Sequence, residues 1–157
     1  MGYSRAFVGF SNTDIHYYRM MQAWKKNSKF DFNFIDCQLI KAINSNDEIY
    51  IKRKLRERIN MSSTFISLIG EDTRRKHKFV RWEMEVALEK NCRIIGVNLN
   101  GKRQVDETLC PPILRNKGTV FLPFSPAIIA HALDNFGKEE SDDWHFEPFI
   151  YSRLGYK

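Results

Sequence analysis

The chain has 157 residues, 43% apolar and 28% charged, with 25 Lys and Arg against 19 Asp and Glu for a net charge of +6. This is about one domain of ordinary globular composition, long enough to bury a core without disulfide or metal staples. It excludes a membrane span, because no apolar run approaches roughly 18 residues, and the opening MGYSRAFVGF has no signal-peptide n-region and carries Ala6 where an N-myristoylation signal needs Ser or Thr.

Cys37, Cys92 and Cys110 are an odd set with no CxxC spacing. They point to free thiols in a reducing, cytoplasmic setting, not to a disulfide frame or a zinc site. The four histidines are scattered, so no metal centre is expected. Positive charge is densest in RRKHK (74–78), a solvated loop or a phosphate-facing one. The modest charge and core-spaced aromatics argue against a nucleic-acid surface.

RAFVGF (5–10) reads as a strand. DIHYYRMMQAWKKN reads as a helix, with Thr13 or Asp14 as cap and Tyr17, Met21 and Trp24 on one face. FDFNFID (30–36) alternates as a second strand, and EIYIKRKLRERIN repeats Ile51, Leu55 and Ile59 every four residues as a helix. STFISLIG (63–70) and RIIGVNLNG (93–101) are continuous apolar runs, typical of strands buried on both faces. GTVFLPF (118–124) makes a fifth strand. SPAIIAHALDNFG makes a helix with Ser125 as N-cap, Pro126 at N1 and Gly137 past its end. Such alternation predicts a doubly wound α/β domain, a five-stranded parallel sheet flanked by helices, over 1–137. An acidic break and an aromatic tail (138–157) follow, the tail expected to dock on the domain.

Ligands of such a sheet bind outside the carboxyl ends of its strands. Those ends carry Phe10-Ser11-Asn12, Asp36, Gly70-Glu71-Asp72-Thr73 and Asn98-Leu99-Asn100. GxGxxG and GxxxxGK[ST] are both absent, which excludes a Rossmann dinucleotide site and a P-loop. GFSN in place of an acidic cluster excludes a receiver-type phospho-acceptor. Between the third and fourth strands, HKFVRWEMEVALEKN (77–91) reads as an amphipathic helix with three glutamates. At about 100° per residue from Met84, Val80, Ala87 and Leu88 make the apolar stripe. Glu83 falls on its flank at about −100°, Glu85 at about +100°, and Glu89 points away. Trp82, at about +160°, is expected exposed or in an interface. Glu83 is therefore the carboxylate best placed to reach a cleft, or a flank glutamate contributing little packing.

FVGFSNTD (7–14) and the segment from Ser63 to Gly101, with its F-V-R-W-E, resemble the TIR-like proteins of bacteria and archaea, the group that includes the TIR component of the Thoeris anti-phage system. The resemblance implies a TIR-like, flavodoxin-like fold. It implies an NAD+-cleaving enzyme, NAD+ being substrate and no cofactor needed, that makes a cyclic ADP-ribose-like signal for a separate effector protein. Glu83 matches the family's catalytic acid, and Phe79 stands where a Trp is usual. Phe10, Ser11, Asn12 and Asp36 are the matching candidates for substrate contact. Ser11 reads equally as a helix-cap hydroxyl and Asp36 as a turn residue. Self-assembly is the further expectation. The alternative is a non-catalytic TIR-like interaction module.

Overall fold

The computed structural model describes residues 6–26, 32–36, 47–60, 62–76, 78–135 and 142–156. The elements in chain order are β1 (Ala6–Gly9), α1 (Ile15–Trp24), β2 (Phe34–Asp36), α2 (Glu48–Ile59), β3 (Thr64–Ile69), α3 (Phe79–Glu89), β4 (Arg93–Asn98), β5 (Val120–Pro123), α4 (Pro126–Asn135), β6 (Trp144–His145) and α5 (Pro148–Arg153). The five strands expected from the apolar runs are present and parallel, and the sheet runs β2-β1-β3-β4-β5-β6. The direction of winding reverses between β1 and β3. The sixth strand, also parallel, comes from the tail. Cys37, His77 and Gly137 lie outside the described residues.

The continuous apolar runs follow from burial on both faces. Alternate side chains of β1 and β3 enter different cores. Val8, Phe10, Ile66 and Leu68 pack with Met21 of α1 and Ile128 and Ile129 of α4. Phe7, Phe65 and Ile69 pack with Ile51, Leu55 and Ile59 of α2 and with α3. Local signals set the helix starts. The Asp47 carboxylate accepts from the N–H groups of Ile49 and Tyr50 at 3.0 and 3.3 Å, and Ser125 Oγ accepts from Ile128 N–H at 3.4 Å. Asn91, at φ 57°, ends α3 in the left-handed region that short amides tolerate.

The tail docks on the same core. Tyr151 is 1% exposed, and the Arg103 guanidinium lies 4.3 Å from its ring centre and 5.1 Å from that of Tyr156. Cys92 and Cys110 are buried thiols outside any disulfide. No helix among the described residues is long and apolar enough to cross a membrane.

Trp82 departs from the sequence reading, being only 6% exposed. α3 is wedged against β1, α2 and the turn at Pro112–Leu114. Met84, Val80, Ala87, Glu83, Val86 and Trp82 are all buried, and at about 100° per residue they span roughly 200° of the helix. The middle of that arc is Glu83, not the stripe of Val80, Met84, Ala87 and Leu88.

Gly96 stands opposite Phe121 on β5, and a Cβ there would come within 2.8 Å of the Phe121 ring. Gly96→Ala is expected to destabilise the fold by about 1–3 kcal/mol through overpacking, read as a lower midpoint in a denaturant titration with an unchanged slope.

Candidate functional site

β1 ends in Gly9, and the reason for a glycine is steric. A Cβ would stand 2.8 Å from Glu83 Oε1 and 2.8 Å from the Phe65 ring. The missing side chain lets α3 lay a carboxylate against the strand. Glu83 is 1% exposed. Gly9 is paired with Ser67, and β3 runs two residues further to Ile69. The carboxylate therefore sits below the rim of the sheet, on the face covered by α2 and α3. Glu85 lies on the outer side of the same helix, 3.2 Å from the Lys52 ammonium, and Glu89 pairs with Arg56.

The other candidates divide around Glu83. Ser11 is fully buried just past β1, its Oγ 3.0 Å from Thr13 Oγ1. Phe10 is also fully buried, but its ring stacks on Tyr18 at 4.9 Å in the opposite core. β1 alternates, so Phe10 and Glu83 are on different faces of the sheet. Asn12 is exposed in the short turn before α1. Asp36 ends β2 with its Cα opposite Val8. Phe79, the first residue of α3, is half-buried and edge-on to Trp82 at 5.4 Å. Gly9 and Glu83 thus meet at the end of β1, with Ser11 two residues further along the chain and Phe79 one helical turn away from the acid.

A second feature lies at the rim where the winding reverses, the place where doubly wound sheets open a crevice. A cavity of about 390 Å³ is bounded by Asp14 and Tyr17 of the first helical segment, Gly70 and Asp72 after β3, and Leu99 and Leu109 after β4. Glu83 does not line it. The Thr13 hydroxyl reaches both carboxylate oxygens of Asp72 at 2.9 Å. Burial pushes Asp72 up, but hydrogen bonds from Thr13 and Ser11 and the nearby Lys76 ammonium outweigh it and hold the carboxyl below its usual range. Asp14 goes the other way, raised by burial and then by the Asp72 charge. The sequence reading named Asp14 only as a helix cap, and its side chain makes no cap hydrogen bond. The signal available for the cavity was the run Gly70-Glu71-Asp72 at a strand end together with an acid after β1.

Among the described residues no cluster of His, Cys, Asp and Glu could hold a metal ion. A family model described as the TIR-like domain of the Thoeris protein ThsB matches residues 7–104, more than half of the chain, a span that contains all six candidate residues. No curated protein matches the chain.

The two aspartates should affect stability in opposite ways. A raised folded pKa favours the protonated form, so the contribution of Asp14 is full below the unfolded pKa and is lost as pH rises through the folded one. A lowered folded pKa makes Asp72 stabilising above the unfolded pKa, an effect lost as pH falls through the folded value. Asp14→Asn is expected to raise the Tm at pH 7 and Asp72→Asn to lower it, with the Asp14 difference fading as pH drops below about 4, near the unfolded aspartate pKa. Thermal melts across pH check both signs.

Proposed function

The chain belongs to the TIR-like domain family of the Thoeris protein ThsB, and from that premise we propose that it cleaves NAD+ as a signalling enzyme of anti-phage defence, with Glu83 as the catalytic carboxylate. The observation that carries this reading is the carboxylate itself. Glu83 is 1% exposed at the centre of the buried arc of α3, with Gly9 giving up its side chain to admit it. Burying an ionisable group disfavours its charged form, and such placements concentrate at functional sites.

The chemistry suits a single carboxylate. Breaking the bond between ribose C1′ and the nicotinamide nitrogen sends the electron pair to nicotinamide, which leaves neutral and needs no strong acid. The ribose becomes oxocarbenium-like, and ionised Glu83 would stabilise that charge and orient the ribose hydroxyls, as carboxylates do in glycoside hydrolysis. Ser11 and Phe79 are the neighbours proposed to shape the pocket, and Asn12 and Asp36 the strand-end groups proposed to contact the ribose. Phe10 would act from the opposite core, holding the loop that carries Ser11. Capture by a nucleophile of the same molecule gives a cyclic product, and capture by water a linear one. The cyclic product would serve a separate effector protein.

Burial adds a condition. A ribose reaches Glu83 only when the shell over it opens, so the enzyme is proposed to rest closed in the cytoplasm and to be activated by rearrangement or self-assembly. The same burial is what favours the second reading, a non-catalytic interaction module in which Glu83 is a structural acid.

Nucleotide analysis of phage-challenged cells separates the two. Glu83→Gln should reduce nicotinamide release on the order of 10²–10³-fold, as loss of a transition-state charge partner does. Glu85→Gln, on the outer face, should retain activity. The fold should survive Glu83→Gln, which preserves shape, whereas Glu83→Ala is now expected to cost about 1–3 kcal/mol because the site is interior. Activity that survives Glu83→Gln would falsify the carboxylate mechanism. Wild type that stays silent in challenged cells supports the interaction module.

A further inference from the structure

We propose that the cavity at the carboxyl rim of β1, β3 and β4 binds a small organic cation, an ammonium or guanidinium on a short apolar stem, with Asp14 as its counter-ion. Three carboxylates, from Asp14, Glu71 and Asp72, and one imidazole, from the exposed His16, are among the lining residues, with neither a lysine nor an arginine. This is a locally acidic hollow in a chain of net charge +6.

The three acids are not equivalent. Asp72 is already satisfied, holding the Thr13 hydroxyl at 2.9 Å and the Lys76 ammonium at 3.6 Å. Glu71 is exposed at the mouth. Asp14 is 9% exposed, and its Oδ2 is buried with no hydrogen-bond partner. It stands at the N-cap position of α1 yet does not cap the helix. Its carboxylate instead lies over Gly70, where a Cβ would come within 2.3 Å of Oδ2. A carboxylate oxygen buried without a hydrogen-bond partner, with two acids beside it and only His16 to offset them, is costly. A cation donating to it removes that cost.

The walls decide what kind of cation. Ile69, Tyr17, Leu99 and Leu109 are apolar or aromatic, and no metal-holding cluster exists among the described residues. Asn100 is turned to Asp106, 2.8 Å away, and to Lys102 N–H, 3.1 Å away. The three carboxylates do not converge on one point as a bare metal ion needs, whereas an amine on a hydrocarbon stem places its charge at Asp14 and its methylenes on the walls. A volume of about 390 Å³ falls in the range of small-molecule sites, roughly 300–1,000 Å³. The site is distinct from Glu83, and the proposal does not depend on NAD+ cleavage.

The test is calorimetric titration and thermal shift of the whole chain with agmatine, putrescine and spermidine at fixed ionic strength. Mg²⁺ alone and a neutral alcohol of similar length are the controls. At least one amine should bind saturably and raise the Tm. Asp14→Asn, and Leu109→Trp which fills the hollow while keeping Asp14, should each weaken binding at least tenfold. If Asp14→Asn fails to fold, Leu109→Trp decides. Absence of binding by all three amines overturns the proposal. So does undiminished binding in the deciding variant, or an equal response to Mg²⁺ alone or to the neutral alcohol.

Discussion

The contact between Glu83 and Gly9 is the constraint around which this molecule is arranged. A glutamate at the centre of the inward face of a helix can approach a parallel strand only where the strand offers no side chain. Gly9 meets that need, and the Phe65 ring closes the same space from β3. α3 must then lie close over β1, which brings Trp82 and Val86 inside and leaves Arg81, Glu85 and Glu89 to face α2 and solvent. Lys52 and Arg56 of α2 meet those outer glutamates. Such surface pairs contribute little energy, and the apolar edges of the two helices do the holding.

The end of β1 also divides two compartments. On one side lies the buried Glu83 carboxylate, and at the rim lies the acidic hollow with Asp14. Between them run the hydroxyls of Ser11 and Thr13, ending on the Asp72 carboxylate. This short polar path is buried at Ser11 and half-open at Asp72. The loop after β1 is therefore tied to the Asp72 side of the hollow. That loop is tied by a few hydrogen bonds, each worth about 0.5–1.5 kcal/mol net.

Much of the architecture was legible because its signals are local. Continuous apolar runs marked β3 and β4, Asp47 and Ser125 marked helix starts, and the alternation of strands and helices left a doubly wound parallel sheet as the natural solution. The position of Glu83 at the carboxyl end of β1 was legible through the F-V-R-W-E segment. Trp82 was misplaced because a helical wheel counts only one stripe, and it cannot know that a second layer, the turn at Pro112–Leu114, covers another side of α3. The sixth strand was hidden because two residues, Trp144 and His145, have no periodicity to read.

What the sequence by itself determined was the first five strands, the four longer helices and their order, since caps, apolar period and glycine breaks act between near neighbours in the chain. Tertiary structure alone decided what each acid experiences. Glu83 became interior because Gly9, 74 positions earlier, makes room for it, and Phe10 went to the opposite core because strand side chains alternate. Asp14 lost its capping role and gained a cavity because Gly70 lies beneath it. Desolvation and Coulomb energy depend on distances in space that no spacing along the chain encodes, so residues of the same type, Asp14 and Asp72, were driven in opposite directions.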